Sequence, residues 1–168
     1  MARDQDLRHN RLVFYARDVQ RLDGELDAFL ESSNARSAIL IDKEGHLVTR
    51  RGEPLQSGSV DSIAALVAGS FAATREMARL LGEQEFTSLF HQGQRDSIQL
   101  QLIGERTLLA IVFDERTNLG LVRFYVQEAV RNIEQILTEI ANTKPAESTE
   151  QLSEHFGADA AAALDKIF

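Results

Sequence analysis

A chain of 168 residues with 43% hydrophobic and 26% charged side chains is long enough for one domain with a proper core, too short for two, and too apolar to be globally disordered. Its net charge of −8 argues against a nucleic-acid or polybasic membrane-surface binder, which needs a basic stripe to neutralise phosphates. The lack of cysteine removes disulfides, thiolate nucleophiles and cysteine-based metal sites.

Residues 1–11 are read as an N-terminal extension, dotted with Arg and Asp and never apolar for long enough to be a signal peptide. No run of about 18 apolar residues occurs anywhere, so the expectation is a cytoplasmic protein without membrane insertion. From Phe14 to Leu30, Tyr15, Val19, Leu22, Leu26, Phe29 and Leu30 recur at three- and four-residue spacing and predict an amphipathic helix that ends at Ser32, Ser33 and Asn34. SAILID (37–42) and HLVTRR (46–51) flank Lys43-Glu44-Gly45 as a predicted hairpin. A polar loop then leads to Ser57 or Ser59, either able to cap a long helix from about Val60 to Leu81, with Gly82 as its stop.

Three more strands follow at 86–92, 97–103 and 107–113. The second alternates apolar and polar residues and so has one wet face; the third, TLLAIVF, is nearly all apolar and is expected at the centre of the sheet. After the capping segment Asp114 to Asn118, Val122, Val126, Ala129, Ile133, Ile136, Leu137 and Ile140 mark a second long helix. The predicted fold is therefore an α+β sandwich of order α-β-β-α-β-β-β-α over residues 12–141, with a five-stranded, mainly antiparallel sheet. Residues 142–150 read as a flexible linker. In 151–168, Leu152, Phe156, Leu164, Ile167 and Phe168 share one side of a short amphipathic helix, docked on its own domain or seated in a partner's groove.

Chemistry of the chain's own has no candidate. Phosphate-cradling, dinucleotide, zinc-helix and nucleophile-elbow motifs are missing, and His9, His46, His91 and His155 fall in separate elements with no ligand spacing, so no cofactor and no metal are expected. Asp114, just past the most apolar strand, is the one acid singled out, with a strand-end or capping role favoured.

The long helix is unusual. On a wheel of about 100° per residue, Ile63, Leu66, Val67, Ser70, Thr74, Met77, Ala78 and Leu81 form one side and are assigned to the core. Ala64, Ala65, Ala68, Gly69 and Ala72 gather opposite, followed by Arg75, Glu76 and Arg79. Gly69 costs about 1 kcal/mol in a helix relative to Ala, and small residues permit close approach of another backbone. This smooth side is therefore read as a protein-binding or self-associating surface. On that reading Ala68→Arg and Ala72→Arg leave the monomer core intact.

Four strings, LIDKEGHLV (40–48), LVAGSFAATREMARLLGEQEF (66–86), FHQGQRDSI (90–98) and VFDERTNLGLVR (112–123), resemble the Roadblock/dynein-light-chain family, and within it the MglB-type bacterial polarity regulators. The resemblance implies a homodimer with long helices side by side and sheets joined edge to edge. It also implies a Ras-like GTPase partner of the MglA type, whose hydrolysis the dimer stimulates, and a role in polarity or motility, concentrated at a cell pole. The same likeness carries over Ala65, Ala68, Gly69, Ala72, Ala73 and Glu76 as contact residues; Arg75 and Arg79 beside them keep an arginine finger in view. For the tail it implies a second contact on the GTPase that modulates nucleotide exchange. The alternative within the superfamily is a scaffold that tethers a partner without activating it.

Overall fold

The computed structural model describes residues 14–55 and 60–143. Eight elements follow in the predicted order: α1 (Ala16–Ser33), β1 (Ser37–Asp42), β2 (Leu47–Gly52), α2 (Val60–Leu81), β3 (Ser88–Gln92), β4 (Ser97–Ile103), β5 (Thr107–Phe113) and α3 (Leu119–Asn142). Residues 13–137 form one compact unit; from Thr138 the last turns of α3 belong to a second, and the N-terminal extension, linker and C-terminal helix expected from the sequence lie outside the described residues.

Local chemistry explains the boundaries. Asn34 ends α1 in the left-handed conformation, φ 57°, with its N–H on the Leu30 carbonyl. Gly82, φ +80°, closes α2: its N–H reaches the Arg79 carbonyl, and the Glu83 N–H reaches that of Ala78 at 2.9 Å, the paired hydrogen bonds of a Schellman end. Asn118 starts α3 by accepting the Leu121 N–H on Oδ1 at 3.0 Å. The serines predicted to cap α2 lie outside the described residues.

The strands form one antiparallel sheet in the order β2-β1-β5-β4-β3, with the fully buried β5 at its centre as its composition predicts. Register fixes two faces, because paired residues point the same way. Ile39, Ile41, Leu100, Leu108 and Ala110 meet α2 in one core cluster. The alternate positions, among them Leu40, Leu109 and Ile111, point to the opposite face, where Thr49 bonds Asp23 and Arg51 bonds Asp27 of α1. On that face α1 and α3 lie side by side: Asn132 Nδ2 donates to Glu25 Oε2 at 2.9 Å. The result is three layers, α2 over the sheet and the sheet over α1 and α3.

Candidate functional site

The inner side of α2 consists of Ala64, Val67, Ala68, Phe71, Thr74 and Ala78. Phe71 is the one large aromatic side chain among them, and the small residues around it let the helix lie close to the sheet. This differs from the wheel assignment. Val67, Thr74 and Ala78 are buried as expected, whereas Leu66, Met77 and Leu81, assigned to the core, are 71%, 52% and 73% exposed. Ala64 and Ala68, assigned to the outside, are buried, so the expectation that Ala68→Arg spares the core is corrected. Apolar residues occur on both sides of the helix, so hydrophobicity alone orients it poorly, and it is Phe71, set among Ala64, Ala68 and Thr74, that faces the sheet.

A second constraint fixes the small residues near the start of α2. The β1–β2 turn packs directly on the helix, and a Cβ on Gly45, φ +94°, would stand 3.0 Å from the Ala65 Cα and 3.6 Å from the Ala68 Cβ. Lys43 in the same turn bonds Glu85 beyond the helix end at 3.1 Å, and Arg75 shares that carboxylate at 3.2 Å. Within the turn Asp42 accepts the N–H groups of Glu44 and His46 at 3.0 and 2.8 Å, which brings Asp42, Glu44 and His46 within 4.8 Å of one another at the surface.

The outer side of α2 is low in polarity as far as Ala73, with the exposed Glu76–Arg79 pair beyond it. Leu66, Gly69, Ala73 and Leu80 follow one another at helical spacing, all exposed, Leu80 at 83%. Ala65, Ala72 and Glu76 are exposed along one margin of the stripe. A Cβ on Gly69 would meet nothing within 4 Å, so no packing inside the unit offsets the glycine's helical cost. Arg79 is tied to Glu76 at 2.7 Å. Of the residues read as a contact surface, Ala65, Gly69, Ala72, Ala73, Arg75, Glu76 and Arg79 are thus exposed together, and Ala68 is withdrawn under the hairpin turn. Leu152, Phe156, Leu164, Ile167 and Phe168 lie outside the described residues.

An ion network ties the turns at one end of the sheet, and nothing in the sequence spacing announces it. Arg36 bonds Glu53 at 3.0 Å and Asp96 at 2.6 Å; Arg116 bonds Glu53 at 2.7 Å and Asp114 at 3.0 Å. Asp114, the acid singled out from the sequence, is the strand-end anchor of this network. Hydrogen bonds from Arg116 and then Arg36 hold the Glu53 carboxyl below its ordinary value, and those from the Arg116 side chain and backbone do the same for Asp114. Depressed carboxyl values stabilise the fold above the unfolded carboxylate range, and that contribution is lost as pH falls through the folded values. The melting temperature is therefore expected to fall as pH drops below about 4. Arg116→Gln flattens that fall; a parallel acid profile for the variant counts against the network as its origin.

A three-layer unit with an all-antiparallel 2-1-5-4-3 sheet and one long helix alone on a face is a specific arrangement, and the Roadblock/LC7 domain model matches residues 22–113, more than half of the chain. The chain belongs to the Roadblock/LC7 family. This Roadblock domain is similar to the gliding protein MglB of Thermus thermophilus, with 35% identity and a TM-score of 0.72 over 76% of this chain and 96% of that one. It is equally similar to Myxococcus xanthus MglB, with 35% identity and a TM-score of 0.70 over 77% and 96% of the two chains. An MglB described in a tetrameric arrangement matches at 34% identity and a TM-score of 0.73, with 77% and 96% covered. No curated protein sequence matches the chain. Among the described residues no helix of the Roadblock domain is long and apolar enough to cross a membrane.

Proposed function

We propose that this Roadblock protein works as a homodimer that binds a Ras-like GTPase of the MglA type and stimulates its GTP hydrolysis, in the control of bacterial polarity or motility. The observation that carries the reading is the outer stripe of α2, where leucines that a lone monomer has no use for flank a glycine and an alanine. Covering Leu66 and Leu80 is worth roughly 1.5–3 kcal/mol each, and Gly69 and Ala73 let a second helix approach closely. The likeness to MglB proteins supports a partner of the MglA type. The protein acts by contact and contributes no active site: Arg75 and Arg79 are held by Glu85 and Glu76, and the charge stabilisation for hydrolysis comes from the GTPase's own residues, repositioned on binding.

Mixing the purified full-length chain with an MglA-type GTPase loaded with GTP is expected to raise the rate of phosphate release by at least about tenfold. Arg75→Ala and Arg79→Ala retain that stimulation; loss of it in either variant restores the arginine finger. Complex formation without faster release supports the tethering scaffold instead and overturns activation.

A further inference from the structure

On the face opposite α2, the two helices leave the outer part of the sheet partly open. A groove of about 420 Å³ runs between α3 and the β3–β4 side, away from the stripe on α2. Its sheet side carries Gln99 and Gln101, which the register of β4 aims at the same face; its helix side carries Arg123, Gln127 and Arg131, with Val126 between.

Two observations point to an occupant. Gln99 lies in the floor of the groove, fully buried: its Nε2 donates to the Leu100 carbonyl at 3.3 Å, but its Oε1 has no hydrogen-bond partner. Arg123 and Arg131 are exposed, border the same groove and make no ion pair among the described residues. In a chain of net charge −8, two unpaired arginines bordering one groove form a local cationic site.

We propose that this groove receives an extended acidic segment of a partner protein. Arg123 and Arg131 lie two turns apart on α3, roughly 12 Å along its axis. An extended chain covers that distance in about four residues, with the first and fifth side chains on the same side. Two carboxylates spaced i and i+4 therefore reach both guanidinium groups at once. With its side chain turned outward into the groove, Gln99 Oε1 takes a backbone N–H of the segment, and the amides of Gln101 and Gln127 bond its remaining peptide groups. A small inorganic anion spans only a fraction of the roughly 12 Å between the two arginine positions, and this favours a peptide over phosphate.

The probe is a fluorescein-labelled peptide containing Asp-Ser-Thr-Ser-Asp, titrated with the full chain and read by anisotropy. Binding with a dissociation constant below about 1 mM is expected, weakening as salt rises. Arg123→Gln and Arg131→Gln each weaken it by about tenfold or more, and Gln99→Leu weakens it severalfold while the far-UV circular dichroism stays that of the parent. A control peptide with the two Asp residues adjacent binds more weakly. The proposal is overturned by any of three results: no binding up to the millimolar range, binding indifferent to both arginine substitutions, or displacement of the peptide by inorganic phosphate at equal concentration, which marks a small-anion site.

Discussion

A chain carrying Leu66→Arg and Leu80→Arg is expected to keep its fold and lose its assembly. Both side chains project from the outer stripe of α2, at 71% and 83% exposure, and neither belongs to the core cluster under the helix. Arg has nearly the helix propensity of Leu, so the monomer's helical spectrum stays as in the parent. Across an interface the outcome differs. Loss of two buried leucines removes about 3 kcal/mol or more, at least a hundredfold in dissociation constant, before the repulsion between facing guanidinium groups is added. Light scattering at micromolar concentration then reports a monomer, and stimulation of an MglA-type GTPase falls with it. A double variant that still runs at the parent's mass and still accelerates phosphate release would falsify the assignment of this stripe.

Ala68→Arg is the second large effect and has the opposite character, striking the fold before the interface. The wheel places Ala68 and Ala72, one turn further along α2, together on the outside, but only Ala72 is exposed. Ala68 is 7% exposed, packed in the cluster of Ile39, Ile41 and Phe71 and beneath the Gly45 turn. A guanidinium there overfills a close-packed layer and buries an unpaired charge, so Ala68→Arg is expected to destabilise the fold by about 3 kcal/mol or more. Ala72→Arg stays within about 0.5 kcal/mol of the parent, as surface substitutions do. Urea denaturation of the two variants side by side checks the pair, and an unshifted midpoint for Ala68→Arg would contradict the burial of that side.

Much of the candidate site is legible in the sequence as an anomaly before it is legible as a surface. The absence of charge in α2 between Ser62 and Thr74, and Gly69 within that stretch, points to association, and the exposed run of Ala65, Gly69, Ala72 and Ala73 is consistent with that reading. The leucines on the same surface escape a sequence reading, since Leu66 and Leu81 on a helix are ordinarily core residues. Phe71 escapes it for the converse reason: no wheel built on the bulky residues centres on it, although it is the side chain that anchors α2 to the sheet.

The sequence by itself determined the order and extent of the elements, because turn chemistry and periodicity are local. Asn34 and Gly82 stop helices wherever the rest of the chain lies, and the alternation in SIQLQLI or the continuous apolar run in TLLAIVF reports how many faces of a strand are covered. Only the tertiary structure decided which side of α2 meets the sheet, how the wet face of β4 comes to hold a fully buried Gln99 beside α3, and which carboxylates meet Arg36 and Arg116. Those outcomes depend on the volume left between layers and on residues far apart in the chain, which no spacing along it records.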